Sequence, residues 1–422
     1  MTDADETQLA QLKRVFFVVL VAGLTALTIT VNVFLSHLQN GVTPDRPFGV
    51  FKAQGGLMVQ DFSYNMLYFR GIRDHVAARP YTLEDQEKIA RHYVPRGATG
   101  LSHAYSPVGF VLVQPLLLVP GRIAYLLYTA LCALGIVLLF YFYLLPRVED
   151  RRQVYALAFC VLGLPLITAF EVGQSSLFTT TVLGAFWFLL QQRAPRSGMR
   201  DLALAILFWA ICLKPSVGPV PLALLVGERA WRPLLAGFAL LALTWLAVGP
   251  LYGGWLTGLQ DYASLLNHYN NNQLTPFMQR GAIDAASAGH PLLITSVQIF
   301  AWKRNAFFVA LALFIGLRWA GKIGASTQFQ GTVWTFLLLS PYLLSLENWV
   351  MCLLVVEGAF FRSGSLAASA AKLLLLLGIM DLRAGVTFPY EMDVPLKWIL
   401  ALWILVEGWR ESVSVKNCAA PR

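Results

Sequence analysis

The sequence predicts an all-α polytopic membrane protein of about twelve transmembrane helices, with interfacial helices in its external loops. Hydrophobic residues make up 57% of the 422 residues, and charged residues only 13%. A soluble domain carries about 25% charged residues, so the composition excludes an ordinary soluble protein. The mean hydropathy of +0.60 agrees with this class. The formal net charge of +9 is expected in cytoplasmic loops, so it does not indicate a nucleic-acid partner.

The first apolar run extends from Val15 to about Leu35, directly after Lys13 and Arg14. This run is long enough to cross a bilayer, and no small-residue cleavage site follows it. It therefore predicts an uncleaved signal anchor in the cell membrane, with the N-terminus in the cytoplasm. Residues 36–121 then form a first external loop, the longest hydrophilic stretch of the chain.

A polar stretch in this loop predicts an amphipathic helix from Asp61 to about Ala78. Its apolar residues recur at the spacing of one helical face: Phe62, Met66, Phe69, Ile72 and Val76. Arg70, Arg73 and Asp74 fall on the other face, so the helix is expected to lie along the membrane surface. Asp61 at its start is either a helix N-cap or a catalytic base at the water interface. On this stretch alone we favour the N-cap, which contributes roughly 0.5–2 kcal/mol.

Two further apolar stretches are expected to lie on the membrane surface instead of crossing it. If residues 108–120 formed a span, the basic residues Arg147 and Arg151 would lie outside, against the positive-inside rule. The same rule places residues 291–302 at the surface, within a second external loop over residues 253–304. The remaining spans are predicted near residues 123–145, 154–170, 177–190, 201–213, 216–228, 233–251, 305–320, 331–346, 348–361, 366–382 and 396–409.

Polar residues then collect at the external ends of the spans: Asp61, Glu171, Lys214, the cluster 267–273 and Glu347. Each has an ordinary structural explanation, such as a solvated turn or, for Lys214, a side chain that reaches the interface. Their convergence is the stronger indication, because it puts an acid, a cation and hydrogen-bonding amides around one external pocket. No separate soluble domain is visible, so residues 1–422 form a single integral membrane domain. The five cysteines show neither metal-ligand spacing nor a disulfide framework, and no metal or cofactor is predicted.

Several short motifs occur in a fixed order along the chain. They are Asp61-Phe62, Tyr105-Ser106-Pro107, Gly173-Gln174-Ser175-Ser176-Leu177, Leu213-Lys214-Pro215, the basic loop 228–232, Asn272-Gln273 and Ser340-Pro341. Together, from about residue 10 to 410, they resemble glycosyltransferase family 87. The chain departs from that family at Val108, where a second proline is frequent. It also departs at residues 344–348, where the family often has an aromatic residue and a histidine.

The resemblance implies a GT-C-like fold and an inverting transferase acting on the extracytoplasmic face. The donor would be a polyprenyl-phosphate hexose, with mannose as the expected sugar, and the acceptor a lipid or glycan. An acid in the first external loop is the base in that superfamily, and Asp61 is the matching position. Inverting transfer also needs cations to hold the departing phosphate, and the candidates are Lys214, Arg70 and Arg73. The candidates for substrate binding are Tyr64, Tyr105, Glu171, Gln174, Asn272, Gln273 and Glu347.

Two other classes of membrane protein fit parts of the sequence. A flippase or transporter of lipid-linked sugars tends to carry ionisable residues in mid-span and internal repeats, and the sequence shows neither. An O-antigen ligase or polymerase has its large loop late in the chain, whereas the most elaborate loop here comes first. We therefore favour the transferase, with its donor, its acceptor and membrane lipids as partners.

Overall fold

The structure is a computed structural model of the whole chain, and it is helical apart from one two-stranded hairpin. It describes residues 3–38, 50–53, 56–59, 61–93, 105–173, 175–192, 197–268, 295–339, 345–357, 360–361, 365–380, 396–404 and 406–407. Within these ranges the helical class predicted from composition is confirmed.

The elements follow one another in three groups. The first group holds α1 (Asp3–Leu38), β1 (Val50–Ala53), β2 (Gly56–Val59), α2 (Asp61–Arg73), α3 (Leu83–Tyr93) and α4 (Pro107–Leu117). The second holds α5 (Gly121–Leu139) with its π-helical continuation Phe140–Leu144, α6 (Arg151–Leu162), α7 (Leu164–Val172), α8 (Ser176–Gln191), α9 (Gly198–Ile211) and α10 (Pro219–Gly227). The third holds α11 (Trp231–Val248), α12 (Trp255–His268), α13 (Thr295–Trp319), α14 (Ala325–Leu339), a 3₁₀ helix (Ser345–Val350), α15 (Met351–Val356), α16 (Leu366–Ile379) and a helical segment over 396–404.

The helices from α5 onward run back and forth between two ends of a bundle. One end, which we call the motif end, holds Tyr105, the turn at Ser175 and the turn at Lys214. The other, which we call the charged end, holds the turns at Glu228 and Asp150. Helix α11 alone, with 18 residues, covers about 27 Å between them. This distance is close to the roughly 30 Å of a bilayer's hydrocarbon core.

Three of the described helical segments are long and apolar enough to cross a membrane: Asp5–Val33, Ile123–Arg147 and Trp231–Tyr252. Their outer faces are apolar and exposed, as Leu235 and Leu243 on α11 show with exposed fractions of 67% and 60%. The chain is therefore a helical membrane protein. The predicted number of about twelve spans is not confirmed, because many of the other helices are short.

The run predicted as a span at 154–170 shows why such helices are short. Gly163 adopts an extended conformation with ψ of 149°, and Pro165 follows it in the first turn of α7. This pair divides the run into α6 and α7, of 12 and 9 residues. Proline is favoured in the first turn of a helix but breaks a helix interior, so the division follows from the sequence.

Three other details of the predicted fold need correction or comment. The hairpin was not predicted, although Val50–Ala53 and Gly56–Val59 are mostly apolar and only Gln54 and Gly55 separate them in the sequence. Helix α2 ends at Arg73, before the predicted Ala78, because His75 adopts a positive φ of 53°. Helix α13 is continuous from Thr295 to Trp319, so the predicted surface piece at 291–302 is not separated from the span by a break.

The buried side chains form a main core and a smaller cluster. The main core fills the bundle, with Trp187 stacked on Phe329 at a centroid distance of 4.2 Å. The smaller cluster lies beneath α2 and joins it to α4 and to the 3₁₀ turn after α11. Helix α4 has 11 residues and is about 16 Å long, too short to cross a bilayer. Its length agrees with the predicted interfacial stretch at 108–120.

Candidate active site

The apolar face of α2 anchors the first turn of this helix against the bundle. Phe62, Met66, Phe69 and Ile72 are each at most 5% exposed, as the predicted helical face requires. The Phe62 ring lies 5.1 Å from the ring of Tyr125 on α5, between centroids. Asp61 is the first residue of the helix, but the side chains of Asp61 and Tyr64 lie outside the described part of the structure.

The turn after α7 lies directly against this first turn. Gly173 has a positive φ of 65°, and a Cβ placed on it would lie 2.4 Å from the Cβ of Phe62 and 2.9 Å from Tyr125 Cε2. Glycine is therefore required for both reasons, the backbone conformation and the close approach. The hydroxyl of Tyr125 also donates to the carbonyl of Phe170 in α7. The sequence segments around Asp61 and Glu171 are thus neighbours, although the side chain of Glu171 lies outside the described part.

The Tyr105-Ser106-Pro107 element joins two of the other motifs. The hydroxyls of Tyr105 and Ser175 are 2.8 Å apart and share a hydrogen bond. The Ser106 hydroxyl donates to the Cys212 carbonyl at 2.6 Å, and the Ser106 N–H donates to the Leu213 carbonyl at 3.2 Å. Residues separated by about a hundred positions in the chain therefore meet at the N-terminus of α4.

Lys214 lies in the turn that this element contacts. Its N–H donates to the Ile211 carbonyl at 3.1 Å, and its own carbonyl accepts hydrogen bonds from Val217 and Gly218. The turn is thus fixed by its own backbone, and the Lys214 side chain is partly exposed. A lysine ammonium can hold an anionic group, and this turn is bonded to Ser106, the residue after Tyr105.

Two serines in the same motifs were not selected from the sequence. Ser176 and Ser216 bury hydroxyl oxygens that have no hydrogen-bond partner within the described part of the chain. Buried hydroxyls are usually satisfied, so these two are exceptions within the described part of the chain. Their signal in the sequence was adjacency to Ser175 and Lys214. The sequence prediction named Gln174, which lies outside the described residues, and did not include Ser175.

Arg70 and Arg73 lie at the other end of α2. At 1.5 Å per residue they are about 14 and 18 Å along the helix axis from Asp61. Their Nε atoms contact the two carboxylate oxygens of Asp74 at 3.3 and 3.1 Å, and Tyr93 donates to the same carboxylate at 3.1 Å. Arg73 also donates to the Leu117 carbonyl at 3.3 Å. Both arginines are therefore held near the C-terminal end of α2, Arg73 also by α4.

The electrostatics of this second cluster are set by Asp74. Burial alone would raise the pKa of its carboxyl, but hydrogen bonds from Arg73, Tyr93 and Arg70 lower it below its usual value. Burial, together with the Asp74 charge, raises the pKa of Tyr93 to about 12. At neutral pH the cluster therefore holds an ionised Asp74 and a neutral Tyr93, which orient both arginines.

The loop after α2 is tied to α12. Arg79 makes a bidentate contact with Asp261, with nitrogen–oxygen distances of 2.9 and 2.6 Å. Tyr81 stacks on Tyr252 at 4.6 Å between centroids, and its hydroxyl donates to the Tyr105 carbonyl at 3.1 Å. The two predicted external loops therefore meet at the Arg79–Asp261 contact, at the end of the bundle that holds Tyr105.

The remaining predicted residues are only partly visible. Glu347 belongs to the 3₁₀ helix Ser345–Val350, which packs against α7, the helix that carries Glu171. Its neighbour Asn348 is fully buried and donates to the Ile379 carbonyl at 3.3 Å. The side chain of Glu347 lies outside the described part, and so do Asn272 and Gln273. The four described cysteines are free thiols.

The fold and the site define a helical membrane protein with several sequence motifs assembled at one end of its bundle. The family model for glycosyltransferase family 87 matches residues 103–341, more than half of the chain. The chain belongs to this family and is a glycosyltransferase. The match includes Tyr105, Ser175 and Lys214, and it is narrower than the predicted resemblance, since it leaves Asp61 and Glu347 outside. No curated protein and no solved structure matches the chain.

Proposed function

We propose that the protein is an inverting glycosyltransferase that moves a hexose from a polyprenyl-phosphate donor to a lipid or glycan acceptor. Mannose is the expected sugar, and the reaction takes place on the extracytoplasmic face of the cell membrane. The observation that supports this proposal is the meeting of four distant segments at the motif end: the start of α2, Tyr105, Ser175 and Lys214.

The chemistry assigns a role to each segment. Asp61 accepts the proton of the acceptor hydroxyl while that oxygen attacks the anomeric carbon of the donor sugar. The bond from the anomeric carbon to the phosphate oxygen breaks, and the electron pair leaves with the polyprenyl phosphate. Lys214 stabilises the negative charge on that phosphate as a point charge.

Arg70 and Arg73 have a different place in this proposal. Because they lie at the far end of α2, they would reach the donor only if its phosphate or lipid lies along that helix. Their guanidinium groups are about one-third exposed and already oriented by Asp74. The proposed substrate contacts of Tyr64, Glu171, Gln174, Asn272, Gln273 and Glu347 stay predictions.

The decisive experiment compares Asp61→Asn with the wild type in a lipid-donor assay, using the purified protein in detergent. Asparagine caps a helix almost as well as aspartate but cannot accept a proton at neutral pH. We expect Asp61→Asn to express normally, bind the donor and lose about 10²–10⁴-fold in turnover. Glu84→Gln, an exposed acid on α3, is the matched control and should keep wild-type activity.

Near-wild-type turnover of Asp61→Asn would make Asp61 a helix cap and would remove the general-base assignment. In that case Glu171 and then Glu347 would be tested in the same assay.

A further inference from the structure

The charged end of the bundle carries an exposed basic and aromatic patch. It consists of Arg229, Trp231, Arg232, Trp319 and Lys322, and we call it the Trp–Arg patch. It lies around the turns that follow α10 and α13. These turns are separated from the motif end by about the thickness of a bilayer's hydrocarbon core. The rings of Trp231 and Trp319 are 6.4 Å apart between centroids, and the Arg229 guanidinium lies 5.8 Å from the Trp319 centroid.

The two helices end in the same backbone motif with different residues. In α13 the N–H groups of Gly321 and Lys322 donate to the carbonyls of Arg318 and Leu317. In α10 the N–H groups of Arg229 and Ala230 donate to Val226 and Leu225 in the same arrangement. This Schellman motif places one residue at positive φ, normally glycine. Gly321 has a φ of 66° there, and Arg229 has a φ of 52°.

Arginine at this position costs stability that glycine would not, because its Cβ disfavours the left-handed conformation. A strained residue of this kind points to a role for its side chain. Among the described residues the Arg229 guanidinium is in no ion pair, and the neighbouring Glu228 is held by Arg318 at 2.8 and 3.2 Å in a bidentate contact. Arg229 is instead exposed and aligned over the Trp319 ring.

The two tryptophans indicate the depth at which the patch lies in the membrane. Trp231 and Trp319 are 46% and 45% exposed, and the indole N–H of Trp319 donates to the Val226 carbonyl at 2.9 Å, which fixes that ring. Exposed tryptophans concentrate at the level of lipid headgroups. The exposed cations Arg229, Arg232 and Lys322 therefore lie at the depth of lipid phosphates. Their positive charges are not cancelled by Glu228, because Glu228 pairs with Arg318.

We propose that the Trp–Arg patch binds the headgroup of an anionic phospholipid. Arg229 and Arg232 contact the phosphate, Lys322 adds a third positive charge, and the two tryptophans flank the glycerol region. Basic residues at a membrane surface attract anionic lipids in this way. The site is separate from the proposed reaction, and its test does not depend on transferase activity.

The test is a binding titration of the full-length protein in neutral detergent, with phosphatidylglycerol and phosphatidylcholine labelled on an acyl chain. We expect tighter binding of phosphatidylglycerol. Arg232→Gln and Lys322→Gln should each weaken it about fivefold, and the triple variant with Arg229→Gly on the order of a hundredfold. Arg14→Gln, an exposed arginine on α1, is the control and should bind like the wild type.

Equal affinity for the two lipids would overturn the proposal, and so would a loss in Arg14→Gln as large as in the triple variant. Displacement of the labelled lipid by excess inorganic phosphate alone would show a phosphate site and not a lipid site, which also contradicts it.

Thermal unfolding of Arg229→Gly gives an independent test, because glycine favours the fold at this position whereas arginine favours lipid binding. Without lipid, the thermal midpoint of Arg229→Gly should equal or exceed that of the wild type, since glycine relieves the strain. The rise in midpoint on adding phosphatidylglycerol should be smaller. A lower midpoint without lipid would show that the arginine serves the fold, and would overturn the proposal.

Discussion

The two ends of the bundle use polar side chains differently. At the motif end, hydroxyls bond to backbone carbonyls or to each other, as Ser106 does with Cys212 and Tyr105 with Ser175. At the charged end, several of the described arginines bond to carboxylates or to the last carbonyls of helices. Arg318 pairs with Glu228, and Arg200 donates to the carbonyls of Leu189 and Leu190 at the end of α8.

This difference has a physical reason. Neutral hydrogen bonds between short side chains and backbone fix distances to a few tenths of an ångström, which a reaction site requires. Long, charged side chains near helix C-termini complement the helix dipole and remain in contact with water. The contacts of the motif end therefore hold side chains at fixed distances, whereas those of the charged end keep charged side chains at helix ends in contact with water. The three predictions that follow test this contrast, from the largest effect to the smallest.

The largest effect should come from the glycines at the two ends. Gly173 and Gly321 have nearly the same φ, 65° and 66°, but a Cβ meets Phe62 and Tyr125 at Gly173 and nothing within 4 Å at Gly321. Gly173→Ala adds a clash to the backbone strain and should cost about 2–4 kcal/mol, against about 1 kcal/mol for Gly321→Ala. Thermal unfolding in detergent measures both. Gly173→Ala should also lose transferase activity, because Phe62 must shift the first turn of α2.

Similar losses of stability for the two variants would break the contrast, since backbone strain alone would then account for both glycines. Retained activity in a destabilised Gly173→Ala would show that the position of the α2 turn does not matter for the reaction.

A smaller effect should come from the hydroxyl pair at the motif end. Tyr105→Phe removes the hydrogen bond to Ser175, which is worth about 1 kcal/mol, so we expect activity to fall about five- to tenfold. Ser175→Ala should do the same, and the double variant should cost little more than either, because both lose one shared bond. Tyr141→Phe is the control, with an exposed ring at 56% on the π-helical continuation of α5. Additive losses would mean that the two hydroxyls act separately.

The sequence predicted what depends on local periodicity. The apolar face of α2 from Phe62 to Ile72 is buried as the spacing required, and the prolines and charges around α4 identified a short helix outside the spans. The predicted convergence of Asp61, Glu171, Lys214, the cluster 267–273 and Glu347 stays a prediction. The structure brings together a different set, the Tyr105–Ser175 pair and the turn that contains Lys214. The first two features follow from side-chain order along single elements and from charge placement at their ends.

The features that the sequence missed depend on tertiary contacts or on backbone conformations without a clear signal. A histidine at positive φ ends α2 at a position where composition would suggest glycine, so the end of the helix was placed too late. The pairing of Tyr105 with Ser175 joins residues 70 positions apart, and it depends on the packing of α4 against the bundle. The break at Gly163-Leu164-Pro165, in contrast, has a clear signal in the sequence, since a glycine and a proline this close together favour the end of one helix and the start of the next.

The smallest effect concerns the carboxylates with lowered pKa, Asp74 in the α2 cluster and Asp150 at the charged end. Burial would raise the pKa of each, but hydrogen bonds from arginines lower both. A lowered pKa in the folded state contributes stability above the unfolded value near 4, and this contribution is lost as the pH falls through the folded pKa. Wild-type thermal stability should therefore fall more than that of Asp74→Asn as the pH is lowered from about 5 to below 3. At neutral pH the substitution should lower the free energy of unfolding by at most about 1 kcal/mol, since the cluster is partly solvated.

Asp150→Asn should lower this free energy still less, because Asp150 caps α6 by accepting the Arg152 N–H at 2.8 Å and asparagine caps almost as well. An Asp74→Asn curve parallel to the wild type would show that its arginines orient the carboxylate without stabilising the fold.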